Sequence, residues 1–239
     1  DPAGIDGRVA AATAAGEDLY TLDAGALSDL DPDLVLTQDL CAVCAIDVDT
    51  VDDALAHLGC RAEVLSFDPH TIAEIADSVR AIGRAVGRKQ EAEQLAATVD
   101  ALDAARAQAG TTRPRVVVLE WTDPPYAPGH WIPEMVEAAG GECVLGTAGA
   151  RSVRTTWDEV AAARPDLVVV APCGFDREGA RAQERALLAA GVLPPGVPTY
   201  AVDANAHWAR PGPRVVEGVE DLRTALGRPR EGALGRPSW

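Results

Sequence analysis

RVVVLEWTDPPYAPGHWIPEM, residues 115–135, opens on four branched apolar side chains in a row. Val116-Val117-Val118-Leu119, with no polar alternation, is the pattern of a strand buried on both faces, as in a parallel sheet covered by helices. Glu120-Trp121-Thr122-Asp123 falls where that strand must end. Pro124, Pro125, Pro128 and Gly129 then predict an extended, rigid loop carrying Trp121, Tyr126, His130 and Trp131. Large flat side chains on a stiff loop at a strand's carboxyl end point to a small-molecule cleft. The alternative is that these aromatics pack on their own domain.

Working outward, the spacing turns helical at Ile132 and stops at Gly140-Gly141. Towards the amino terminus, 89–108 predicts a helix with Leu95, Val99 and Leu102 on its stripe, about 30 Å long at about 1.5 Å per residue. Before it, Thr71 and Glu74 form a capping box for an amphipathic helix carrying Ile72, Ile75, Val79, Ile82 and Val86. Residues 1–16 read as a helix, 19–22, 34–37 and 63–67 as strands, 27–30 as a helical turn and 51–58 as a helix. Towards the carboxyl terminus, 143–145 is short and extended, 157–163 is a helix capped by Thr155 or Thr156, and 167–170 is a buried strand. Helix 177–190, strand 199–202 and helix 215–226 complete the pattern. Asp31-Pro32-Asp33 and Arg164-Pro165-Asp166 each lead into an apolar strand. One device used once per half implies two similar α/β lobes. The expected boundaries are a first lobe at 1–88, a connecting helix at 89–110, a second lobe at 111–227 and a mobile tail at 228–239.

The chain has 239 residues, 47% of them apolar, which is ample for a folded core. Its 21 basic and 37 acidic residues give a net charge of −16, which disfavours nucleic acid and anionic membrane as partners. No apolar run is long enough to span a bilayer. Five cysteines, an odd number in a chain of this length, argue against a secreted disulfide scaffold. Cys41-x-x-Cys44 has metal or redox spacing, but no second pair completes a four-ligand zinc site.

The unusual residues gather at four strand exits. These carry Gln38, Asp39, Cys41 and Cys44; Trp121, Tyr126, His130 and Trp131; Cys173 and Phe175; and His207, Trp208 and Arg210. If the lobes face each other, the exits line one cleft. Phosphate loops, dinucleotide fingerprints and nucleophile elbows are absent from the sequence, so a binding protein is expected rather than an enzyme. His57 and His70 read as ordinary surface and structural residues. Cys41, Cys44, Cys173, His130 and His207 could together bind a soft metal, against the plainer reading of thiols filling tight turns.

Four passages carry a resemblance: LDPDLVLTQDLCAVCAI, EWTDPPYAPGHWIPEMVEAAGG, TTWDEVAAARPDLVVVAPCGF and AVDANAHWARPGPRVVEGVEDL. The chain resembles the cobalamin-binding branch of the substrate-binding proteins that serve ABC importers of metal chelates, and within it a thiol-bearing branch. The resemblance implies two Rossmann-like α/β lobes with parallel sheets, joined by one rigid helix. It implies that the first lobe is incomplete, because family members begin with a further strand and helix of about fifty residues, one βαβ unit's worth. It also implies a corrinoid or other metal chelate held between the lobes. The implied contacts are Gln38, Asp39, Cys41, Trp121, Tyr126, His130, Trp131, Cys173, Phe175, His207, Trp208 and Arg210. Gln38 and Ser152 stand at or near positions of family aromatics. Acidic residues that dock on a permease match Asp158, with Glu159 beside it, in the second lobe; the corresponding place in the first is Gly25, near Asp23 and Asp29. The resemblance places the protein outside the cytoplasm, periplasmic or membrane-anchored, if a signal precedes Asp1, and in the cytoplasm otherwise. A monomer is expected.

Two other readings remain at this point. One is a metal- or haem-binding protein using the Cys41 and Cys44 thiols, uncoupled from transport. The other is a two-lobe oxidoreductase of nitrogenase-like architecture, weakened by the single CxxC and the missing nucleotide loop.

Overall fold

The computed structural model describes residues 2–15, 29–38, 62–107 and 113–227. The chain divides into two compact units, 3–68 and 69–239.

In the first unit, α1 (Pro2–Ala15) is helical as expected, with no buried residue. Strands β1 (Leu34–Gln38) and β2 (Glu63–Phe67) pair in parallel, Leu34 opposite Glu63 and Gln38 opposite Phe67. Within the apolar run of β1, Leu36 is 48% exposed. Its sheet has two strands among the described residues. The strand at 19–22 and the helix at 51–58 lie outside the described residues.

The second unit starts with the helix pair α2 (Ile72–Ala85) and α3 (Lys89–Ala107). Thr71 and Glu74 form the predicted capping box on α2. The two helices cross closely where Gly83 meets Ala92; a Cβ on Gly83 would lie 2.1 Å from the Ala92 Cβ. On α3, Val99 and Leu102 are fully buried. Four parallel strands follow: β3 (Arg115–Leu119), β6 (Glu142–Cys143), β8 (Leu167–Val170) and β9 (Thr199–Ala201). Their spatial order is β6-β3-β8-β9. Val116, Val117, Val118 and Leu119 are all 0% exposed, each worth about 1.5–3 kcal/mol of transfer free energy. Alternation along the strands sends Val117, Leu119, Val168 and Val170 to one face, where they pack with Val160 of α5 (Trp157–Ala162) and Leu187 of α6 (Arg177–Ala190). Val116 points the other way and meets Val136 of α4 (Ile132–Ala138) beside Gly141. α4 in turn packs on α3 and on α8 (Val215–Ala225).

The twin Pro-Asp devices have twin backbones. Asp31 (φ 41°) and Arg164 (φ 45°), each the residue before the proline, are left-handed. In the second unit Asp166 then clamps the strand start: its backbone N–H reaches the Arg115 carbonyl at 2.7 Å, and its carboxylate accepts from the Arg115 N–H at 2.8 Å.

Two segments differ from expectation. Residues 121–127 are not an extended loop. They form a hairpin of β4 (Trp121–Thr122) and β5 (Pro125–Ala127), turned at a cis Asp123–Pro124 bond, and β7 (Val153–Arg154) joins it as a third antiparallel strand. Cross-strand pairing satisfies backbone groups that an extended segment packed on the sheet edge would leave unpaired. The segment after β9 is not an open exit. Asp203 accepts from the Ala206 N–H at 2.8 Å and starts a short helix, α7 (Ala204–His207).

Candidate functional site at the carboxyl edge of the second sheet

Strand order fixes where a ligand fits. β3 is followed by β6 on one side and by β8 on the other, so the connections diverge between β3 and β8. In open parallel sheets, ligands bind in the crevice at the carboxyl ends of such a pair. Here β3 runs into Trp121 and β8 runs into Phe175, and their rings stand 5.9 Å apart, tilted by 56°. Both rings are partly exposed.

The hairpin extends this pair into a row. Trp121 is opposite Tyr126, and Tyr126 is opposite Arg154, so all three side chains project from one face. The Arg154 guanidinium lies 5.9 Å from the centre of the Tyr126 ring. Phe175, Trp121, Tyr126 and Arg154 thus form one strip, three flat rings ending in a cation. On the other side of Phe175, its carbonyl accepts the Asn205 N–H at 3.0 Å, and the Asn205 side chain accepts from Arg210 at 2.9 Å.

One residue that sequence reasoning passed over ties these parts together. Glu120 donates its backbone N–H to Tyr126 and accepts from the Cys173 N–H at 3.0 Å. Its carboxylate takes the Ser152 hydroxyl and, at 3.4 Å, the Gly129 N–H. The signal was a carboxylate placed directly after four apolar strand residues, a position where a charge needs partners. Burial pushes the Glu120 carboxyl up to about 7, against the opposing pull of the Ser152 and Gly129 hydrogen bonds. The folded chain therefore holds this proton more tightly than the unfolded chain. The penalty for ionising it is absent below a carboxylate's ordinary 4.5 and complete above about 7. Glu120→Gln, which stays neutral, should gain stability relative to the parent as pH rises through that window, by roughly 2 kcal/mol after discounting for partial exposure. Urea denaturation of both proteins across the window checks this; a constant difference would mean the carboxyl is not buried as described.

The other predicted residues are placed as follows. Gln38 is exposed at the end of β1 in the first unit. Asp39, Cys41 and Cys44 lie outside the described residues. Cys173 is exposed at the end of β8. Trp131 and Trp208, read as rim residues, are core side chains at 4% and 1% exposure. The Trp131 indole N–H donates to the Trp208 carbonyl at 2.9 Å, which joins α4 to the end of α7 inside the unit. The Trp131 N–H is thereby satisfied, the Trp208 N–H is buried without a hydrogen-bond partner among the described residues, and the apolar area of both rings outweighs that cost. His207 contacts Arg214 and Glu217, each at 2.8 Å. His130 is left-handed (φ 48°) and its ring lies 5.0 Å from that of His70, a residue read as merely structural. Among the described residues no group of three or more metal-ligating side chains occurs. Cys143, pushed up to about 12 by burial, is a poor nucleophile.

Asp158 is exposed in the first turn of α5. Glu159 is occupied by its own helix: it caps the Thr156 N–H at 3.0 Å and accepts from the Thr155 hydroxyl at 2.8 Å.

Comparison with known proteins agrees with this architecture. The family described as periplasmic binding protein matches residues 19–186. Among curated proteins none matches the sequence. Solved structures do. The periplasmic heme-binding protein RhuT from Roseiflexus sp. RS-1 is 24% identical, with a TM-score of 0.64 over 87% of this chain and 80% of that one. An ABC transporter substrate-binding protein from Listeria monocytogenes EGD-e is 18% identical, with a TM-score of 0.67 over 84% and 79%. The periplasmic vitamin B12 binding protein BtuF of Vibrio cholerae is 19% identical, with a TM-score of 0.57 over 87% and 79%.

Proposed function

The chain belongs to the periplasmic binding protein family, and from that premise we propose that it is the substrate-binding component of an ABC importer for a metal chelate, taking a cobalamin-like corrinoid or a related flat macrocycle without transforming it. The observation that supports this most is the Phe175–Trp121–Tyr126 strip at the switch point of the sheet. A macrocycle offers a broad flat face, and stacking area on such a strip contributes more than any single hydrogen bond. Solved relatives named for haem and vitamin B12 share the fold and fit the same class. In this reading Asp158 is the second unit's docking acid for the permease, since the carboxylate of Glu159 is committed to its cap. The family supports an extracytoplasmic site of action, and no described helix is long and apolar enough to cross a membrane.

The test is a titration with cobalamin, cobinamide and haem, followed by tryptophan fluorescence and ligand absorption. Saturable quenching by one of the three is expected. Trp121→Ala and Phe175→Ala should each weaken that ligand by about tenfold, the loss of one stacked ring. No response to any of the three would sink the proposal.

A further inference from the structure

Phe175 and Trp121 reach the crevice on different elements, yet one helix underlies both. Phe175 is the residue before the Asp176 cap of α6, and its ring lies on the first turn of that helix. A Cβ built on Gly179 would stand 2.9 Å from Cδ1 and 3.3 Å from Cβ of Phe175, so the ring occupies the space that a side chain at 179 would need. One turn further along, on the same face of α6, Gln183 reaches the hairpin. The Thr122 hydroxyl, next to Trp121 in the chain, donates to the Gln183 side-chain oxygen at 2.5 Å. Gly179 thus backs one ring, and Gln183 ties down the strand that carries the other.

Stability alone does not account for either residue. Helices α2 and α5 begin with full capping boxes and carry glutamate, Glu74 and Glu159, at the third helical position. α6 has an aspartate cap but glycine at that position, which closes no box and is among the poorest helix formers. Thr122 and Gln183 are 4% and 8% exposed, and the Gln183 amide nitrogen is buried without a hydrogen-bond partner among the described residues. A buried NH₂ left unpaired costs at least as much as one neutral hydrogen bond returns. We propose that Gly179 and Gln183 are positioning residues for ligand binding, which together fix the seat that Phe175 and Trp121 offer. That seat is two rings 5.9 Å apart and tilted by 56°, a face on one side and an edge on the other. The inference rests on chelate binding at the aromatic strip and adds that α6 sets the fit. A substitution that leaves the fold intact but releases either ring should weaken the ligand.

The experiment labels the parent, Gly179→Ala and the double variant Thr122→Val/Gln183→Leu with 5-fluorotryptophan, the Trp121 resonance being assigned by Trp121→Phe. Phe175 is partly exposed, so an alanine at 179 lets its ring swing aside without unfolding the helix it precedes. Replacing both members of the buried polar pair by apolar groups leaves little unpaired. In both variants the urea midpoint should stay at or above the parent's. The Trp121 fluorine signal should move, and those of the core residues Trp131 and Trp208 should not. Affinity for whichever of cobalamin, cobinamide or haem the parent binds should drop by about fivefold. Gly212→Ala, where a Cβ meets nothing within 4 Å, should change none of these. An unmoved Trp121 signal in both variants, or affinity that falls only in step with the urea midpoint, would overturn the proposal. If the parent binds none of the three, the chelate reading fails by itself, and the fluorine shifts still decide whether α6 orients the pair.

Discussion

Gly129→Ala should destabilise the second unit by on the order of 4 kcal/mol, among the largest effects a single methyl can have. An added Cβ would stand 2.4 Å from the Ser152 backbone nitrogen and 2.5 Å from both the Ala150 oxygen and the Arg151 carbonyl carbon. All three are main-chain atoms, so no rotamer change relieves the clash. The loop 149–152 would have to withdraw. That withdrawal pulls Ser152 from the Glu120 carboxylate, loosens the His130–Ala150 bond and shifts β7, whose Arg154 closes the aromatic strip. Stability and ligand response should therefore fall together. Every tryptophan lies at or beyond position 121, so fluorescence-detected urea denaturation reads the second unit alone. Gly212→Ala, where a Cβ would meet nothing within 4 Å, is the control and should stay within about 0.5 kcal/mol of the parent. A Gly129→Ala protein as stable as that control would show that the loop does not lie against the hairpin.

Much of this unit could be read from sequence because the relevant signals are local. The unbroken Val116–Leu119 run, the Thr71–Glu74 box and the repeated Pro-Asp device each depend on residues a few positions apart. The strand exits are equally local, and they gave the correct sheet edge for Trp121 and Phe175. The errors arose where the answer depended on distant partners. Prolines at 124, 125 and 128 announced stiffness but not that 153–154 would pair with 125–127. Trp131 and Trp208 sat beside rim residues in sequence, but a bond over 77 positions turns the first towards the carbonyl of the second, inside the core. The contact of His70 with His130, 60 residues away, forms only after the hairpin folds back. Periodicity determines which face of an element is apolar. It does not say which of two aromatic neighbours the core will take, because that depends on the shape of the helices packed against them.

Glu134→Ala should cost the same unit about 2–3 kcal/mol, less than breaking a fully buried ion pair because Arg106 keeps 27% exposure and two other carboxylates. Glu134 is 7% exposed on α4 and has two jobs. One carboxylate oxygen accepts the Ile72 N–H at 2.7 Å, satisfying an amide at the start of α2 that has no partner within its own helix. The other accepts from Arg106 of α3 at 2.8 Å, and Arg106 also holds Asp103 and Glu137. Removing the side chain strands a buried N–H and unbalances a guanidinium that helps fasten three helices. Glu134→Gln separates the two effects: its amide oxygen can still accept from Ile72, but its NH₂ then faces Arg106, donor against donor. Its cost should fall between those of the parent and Glu134→Ala. The exposed pair Arg88–Glu91 lies in water, and Glu91→Ala should be close to neutral. The decisive measurement is the double variant Arg106→Met/Glu134→Leu. Because replacing both members of a buried pair with apolar groups restores much of what removing one destroys, it should be more stable than Glu134→Ala, despite carrying two substitutions. If it is less stable, the pair's own attraction outweighs its desolvation, and the three helices are held electrostatically rather than by packing around an expensive charge.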